Sequence, residues 1–204
     1  MAKSKSSLKR TVTITAIISL ISFLYKMGLG IWTMSTILMI AAVSTLLVLI
    51  AKIAFIKNVT KSRGEKKRAY RLIAVVTLFY SLIFIAFSVL KVFGIDTSNQ
   101  KTYEGWLGSL LIAFMLLMFI LSLLGLKGAL NKTDLMVIGL KEITFVSCLT
   151  DLVIIEEFVS RIVLQYQEVE YMSSINSYFV LGISIIMLVI PIVMIVRSIR
   201  YKVD

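Results

Sequence analysis

The chain has 204 residues, 59% of them hydrophobic, a mean hydropathy of +0.96, a formal net charge of +11, no histidine and one cysteine. An ordinary soluble domain is about half apolar, so this composition points to the bilayer as solvent. The lack of histidine excludes Ser-His and Cys-His catalysis and imidazole metal ligation, and a lone cysteine excludes a disulfide framework or a multi-cysteine metal site.

A helix needs about 20 mainly apolar residues to cross the hydrocarbon. Stretches of that kind occupy 11–28, 31–54, 72–93, 105–126, 135–157 and 176–196. The expected fold is all-α: a single polytopic membrane domain over 1–204, with six transmembrane helices and no room for a soluble domain. The first stretch follows Lys3, Lys5, Lys9 and Arg10 as a signal peptide would. Its apolar run ends in Tyr25-Lys26-Met27 without a small-x-small cleavage site, so it reads as an uncleaved span. It meets the second at Gly28-Leu29-Gly30, the expected hinge of a tight helical hairpin. Trp32 and Trp106 belong at the outer edge, where amphipathic rings prefer to lie. Lys52, near the other end of the second span, reads as a snorkelling interface residue.

The second connection carries Lys57, Lys61, Arg63, Lys66, Lys67, Arg68 and Arg71 against Glu65. Attraction to anionic headgroups is worth about 1 kcal/mol per charge near the surface, so Lys57, Lys61, Arg63, Lys66, Lys67 and Arg68 are expected lipid contacts. A specific lipid, nucleic-acid or partner site there is the lesser reading, and no nucleic-acid partner is expected. With the N-terminal tail, Lys127 and Lys132 of the fourth connection, and Arg197, Arg200 and Lys202, 16 of the 22 cations fall on one side. The opposite connections hold Asp96, Glu104, Glu156, Glu157, Glu168 and Glu170. The positive-inside rule then makes both termini cytoplasmic.

The fifth stretch carries Lys141, Glu142 and Asp151, and a charge at a span centre costs about 2.5–3.5 kcal/mol on the insertion scale. If it did not cross, the acidic segment 156–170 would be cytoplasmic and Arg197, Arg200 and Lys202 outside. Parity therefore favours six spans, in a register of either 135–157 or 143–163.

At 100° per residue, Thr144, Ser147 and Cys148 lie within about 60° of Asp151, and Glu142 lies on the opposite face. A polar stripe inside the bilayer, with a carboxylate, marks a functional site by default, so Asp151, Thr144, Ser147 and Cys148 form the candidate intramembrane site. The bland alternative has the hydroxyls bonded to their own helix and Asp151 in a structural ion pair, with Lys26 and Lys91 as candidate partners. Either lysine alone would more simply snorkel. The segment Glu156–Ser174 reads as a solvated helix extension more readily than as a lid. Pro191 is expected to kink the last helix. Gly105 with Ser109, Gly125 with Ala129, and Gly182 with Ser184 fit close helix packing.

In Gly28–Lys52, a Gly and a Trp followed by apolar residues ending in a cation, and in Leu140-Lys141 through Asp151, the chain resembles small uncharacterised six-span membrane proteins of Gram-positive bacteria. That resemblance implies a bacterial plasma-membrane location and no known activity. Size and span count are similar to the substrate-binding membrane components of energy-coupling-factor vitamin transporters, an analogy of layout. Phosphate loops, zinc-protease motifs and nucleophile elbows are missing. The expectation is a non-enzyme, without cofactor or metal, binding a small solute, lipid or partner protein near Asp151, with a transporter component as one version. The alternative is a structural, immunity or regulatory protein acting through helix contacts. An intramembrane enzyme would have to use Glu142 and Asp151, which point apart. An open polar cavity at Asp151 favours binding, whereas a dry ion pair favours the alternative.

Overall fold

In the computed structural model the backbone is described for residues 2–32, 34–58, 61–93, 106–130, 134–166 and 171–201, with the side chains of 2–8, 106–111, 114, 128–130, 158 and 160–175 left aside. Six helices make up these residues: α1 (Ala2–Trp32), α2 (Thr36–Asn58), α3 (Arg63–Val92), α4 (Trp106–Leu130), α5 (Leu135–Tyr166) and α6 (Tyr171–Arg200). Four helical stretches are long and apolar enough to cross a membrane: Lys9–Trp32, Thr36–Asn58, Arg63–Val92 and Asn176–Arg200. In α4 the described apolar stretch is Met115–Lys127.

The helices alternate in direction. Val12, Phe55, Tyr70, Leu135 and Met194, from five different helices, share one buried cluster near the termini, while Ile37, Phe87, Met115, Val153 and Val180 share a second toward the other end. Around this core Ile17, Ile21, Leu24, Phe79, Ile83, Leu117, Leu124, Ile186 and Val193 stay exposed. Such a belt of large apolar side chains is a liability in water and suits lipid.

α5 occupies the centre, packed against α2, α3, α4 and α6, whereas among the described residues the backbone of α1 comes close to α2 alone and that of α4 to α5 alone. Its central place explains its poor hydropathy. Three of its acids each have a cation on a different helix: Glu142 with Arg197 of α6, Asp151 with Lys26 of α1, and Glu157 with Lys91 of α3. A buried carboxylate is far less costly when paired in this way.

The hairpin between α1 and α2 turns later than the sequence suggests. Gly28 and Gly30 lie within α1, and the reversal occurs at Met34, whose φ is 50°. The Ser35 N–H donates to the Gly30 carbonyl (2.9 Å) and the Met34 N–H to the Ile31 carbonyl (3.3 Å), the bond pair of a Schellman end. Gly30 serves close approach instead: a Cβ there would stand 3.0 Å from Met39 Cγ and 3.1 Å from the Met39 nitrogen. At the start of α3, Ser62 and Glu65 form a reciprocal capping box. Glu65 is held below the usual carboxylate range by hydrogen bonds from the Ser62 hydroxyl and backbone N–H, with Lys61 adding to the shift.

Beyond Glu157 the backbone of α5 stays helical to Tyr166, so this part of the segment Glu156–Ser174 is a helix extension; residues 167–170 lie outside the described residues. α6 continues through Pro191. Pro191 supplies no N–H to the Met187 carbonyl, and Ser81 Oγ of α3 donates to that oxygen instead, at 2.9 Å. Gly182 meets nothing within 4 Å where a Cβ would be, so it is not a close-packing position. Gly125 is one: the Lys141 side chain lies over it, with Nζ 2.9 Å from where its Cβ would stand. Gly105 lies outside the described residues, and Ser109 and Ala129 belong to positions whose side chains are left aside.

Candidate functional site

α1 and α2 run antiparallel, and each carries a cleft-lining row with spacing three then four that begins at a hydroxyl and ends at a lysine. Ser19, Ser22 and Lys26 lie on α1; Thr45, Val48 and Lys52 lie on α2. This spacing puts each row on one helix face. The two rows face each other head to tail, so each lysine reaches the hydroxyl at the far end of its neighbour's row. Lys26 Nζ donates to Thr45 Oγ1 at 3.1 Å, and Lys52 Nζ donates to Ser19 Oγ at 2.6 Å and to the Thr15 carbonyl at 2.8 Å. Lys52 therefore does not snorkel. It is buried (8% exposed) because α1 offers acceptors sideways, nearer than the interface its stem would otherwise seek.

α5 closes this site from the inner side. Lys26 Nζ donates to Asp151 Oδ1 at 2.5 Å, with the two side chains 5% and 9% exposed. Among the described residues the backbones of α1 and α5 do not come close, so the lysine reaches across between them. Thr45 Oγ1 donates to the Ala41 carbonyl (3.0 Å) and uses its lone pair for Lys26. Ser44 Oγ likewise donates to the Ala41 carbonyl (2.7 Å), which makes Ser147 Oγ the donor in their 3.1 Å contact. Thr144 Oγ1 turns back to the Leu140 carbonyl (2.7 Å), and the Cys148 thiol points at the Met118 carbonyl of α4, 3.6 Å away.

The predicted stripe is thus brought together, and it lines a cleft of about 50 Å³ with Ile18, Ser19, Ser22, Lys26, Thr45, Val48, Lys52 and Met118. Site volumes for drug-sized ligands run to about 300–1,000 Å³. This cleft instead suits a few waters or one small polar group. Its charge is uneven: Lys26 is neutralised by Asp151, whereas Lys52 has no carboxylate partner among the described residues. Seven residues before Asp151, on the same face of α5, stands Thr144, a neutral group.

Lys91, the other candidate partner for Asp151, pairs with Glu157 at 2.5 Å. Six residues separate Glu157 from Asp151, about 9 Å along α5 and well round its axis, so Lys91 on α3 meets the face away from the cleft. Glu142, on the predicted opposite face, accepts from Tyr70 Oη at 2.9 Å and pairs with Arg197. No group of three or more metal-ligating side chains occurs among the described residues. In the basic run, Lys66 reaches Asp134 (2.8 Å) and Lys67 the Tyr201 carbonyl (2.6 Å). Lys57, Lys61, Arg63 and Arg68 stay exposed.

Sequence reasoning missed Ser19, Ser22, Thr45 and Lys52 as site residues. Their signal was the shared three-four spacing on the first two spans, which becomes informative once those spans are read as an antiparallel pair. The chain matches no protein family, no curated protein and no solved structure, so the chemistry of the site rests on its own geometry.

Proposed function

We propose that the chain is a six-span protein of a bacterial plasma membrane, with both termini cytoplasmic, that binds a small polar group in the cleft between α1, α2, α4 and α5 without catalysing a reaction. The charge parity of the connections supports six crossings and this orientation. Exposed Lys57, Lys61, Arg63 and Arg68 meet the anionic headgroups of the cytoplasmic leaflet. The observation that carries the reading is that the Lys26–Asp151 pair lines a cleft of about 50 Å³ together with Ser19, Thr45 and Lys52. Non-catalytic binding is favoured because the buried carboxylates Glu142 and Asp151 are each held by a separate cation on opposite faces of α5. As a transporter component it would need a separate energy-coupling partner.

The ion pair itself favours a second reading, a structural, immunity or regulatory protein in which Lys26 and Asp151 only hold α1 to the bundle. Purification of Asp151→Asn beside Glu157→Gln separates the two. The binding reading expects a molecule that co-purifies with the wild type and with Glu157→Gln and is lost from Asp151→Asn. Identical bound content in all three proteins, or none in any, overturns it in favour of the second reading.

A further inference from the structure

Lys26 and Lys52 are alike in reaching a hydroxyl of the opposing helix and unequal in charge balance. Each crosses to a hydroxyl of the antiparallel neighbour, Thr45 and Ser19 respectively. Lys26 also meets Asp151, whereas α5 offers Thr144 and Cys148 toward the level of Lys52. An ammonium has three donors. Lys52 uses two of them on neutral oxygens, is 8% exposed, and has no anion among the described residues. A buried cation left so favours an anionic oxygen brought from outside the chain.

The route to Lys52 is set by the packing. α1 leans on α2 and α4 on α5, and among the described residues the backbones of α1 and α4 do not come close. The cleft lies between them, lined on one side by Ile18 and Ser22 and on the other by Met118. Flanking side chains on both helices, Ile14, Ile21, Leu117 and Leu121, are exposed and apolar. This gap therefore faces the surroundings of the apolar belt, which for a spanning bundle is lipid. A volume near 50 Å³ takes a phosphate or carboxylate headgroup and not a whole amphiphile, whose chains would lie along the exposed walls. Lys52 lies within two turns of the end of α2, close to Lys57 and to the depth at which headgroups sit.

We propose that the cleft takes the anionic headgroup of a membrane amphiphile, entering sideways between α1 and α4, with Lys52 as its counter-ion. This rests on the binding function above and names the ligand class. Lys26 with Asp151 bounds the far end of the cleft and keeps that lysine from competing for the headgroup.

The test uses the full-length protein purified in mild detergent, offered phosphatidylglycerol or zwitterionic phosphatidylcholine, with retained lipid counted by native mass spectrometry. The wild type is expected to retain the anionic lipid about fivefold better per matched charge. Lys52→Gln should abolish that preference, and Lys127→Gln, an exposed cation outside the cleft, should keep it. Ser22→Trp, which fills the cleft mouth without changing charge, should also remove the bound lipid and decides the matter if Lys52→Gln fails to fold. Retention of the preference in both cleft variants overturns the proposal. So does displacement of the lipid by soluble glycerol phosphate at equal concentration, which would leave a solute site and the binding function standing. A lipid-free dimer that shields the cleft would likewise overturn it, by making a second copy the occupant. Binding of neither lipid nor soluble anion removes both readings.

Discussion

Lys26 and Asp151 are 125 residues apart in sequence and meet at 2.5 Å in a setting where both side chains are under a tenth exposed. The pair joins the peripheral helix α1 to the central helix α5, whose backbones do not come close among the described residues. Removing one partner leaves an uncompensated buried charge, which costs about 3–5 kcal/mol. Replacing both with apolar residues of similar volume costs far less. Lys26→Met and Asp151→Leu should therefore each lower stability in detergent-based unfolding, and the double variant should recover most of the loss. A double variant as unstable as the sum of the singles would show that the two charges do not act as a pair.

Two glycines make opposite predictions from similar crowding. A Cβ on Gly139 would lie 2.6 Å and 2.8 Å from ring carbons of Tyr70, a fully buried side chain whose hydroxyl donates to Glu142 and accepts from Arg197. The ring cannot yield without disturbing that network, so Gly139→Ala should cost about 1–3 kcal/mol. At Gly125 the clash at 2.9 Å is with Lys141 Nζ, the free end of a flexible chain, so Gly125→Ala should be nearly neutral. Thermal unfolding of the two variants side by side checks the contrast. Equal losses would mean that Lys141 is anchored as firmly as Tyr70.

Helix number, helix order and the polar stripe on α5 were readable because hydrophobic run length and 100° periodicity are local properties of the chain. The stripe's contents were right for the same reason: Asp151 and Glu142 face apart whatever surrounds them. What failed needed a second helix. Lys52 looked like an interface residue because nothing in its own span shows that Thr15 and Ser19 offer acceptors beside it. The choice between Lys26 and Lys91 for Asp151 depended on which helix faces which side of α5, and that is a packing fact. The turn was misplaced because glycine is the usual left-handed residue, yet here Gly30 serves close helix approach while Met34 takes the positive φ.

The capping box at α3 gives a pH dependence. Glu65 has its pKa lowered in the folded chain, mainly through the Ser62 hydroxyl and backbone N–H. A depressed carboxylate contributes stability that is present above its unfolded pKa and is lost as pH falls through the folded value. Anchoring of the first turn of α3 should therefore weaken in the acid range below the usual carboxylate pKa, and Glu65→Gln should remove that part of the pH dependence. Amide exchange at residues 63–67 reads this locally; an unchanged acid profile in Glu65→Gln would assign the effect to another group.

Ser81 and Pro191 make a coupled pair without touching through their side chains. The proline leaves the Met187 carbonyl without its helical donor, and the Ser81 hydroxyl satisfies that oxygen while also contacting the Thr77 carbonyl at 3.0 Å. Losing a buried partner costs about 1–3 kcal/mol, so Ser81→Ala should be destabilising in the wild-type background. In Pro191→Ala the backbone N–H returns, the Met187 carbonyl regains its own donor, and Ser81→Ala should cost less. A double-mutant cycle by thermal or denaturant unfolding measures the difference. Additive effects would show that the hydroxyl does not replace the missing helical donor, and that α3 and α6 are held at this level by apolar packing alone.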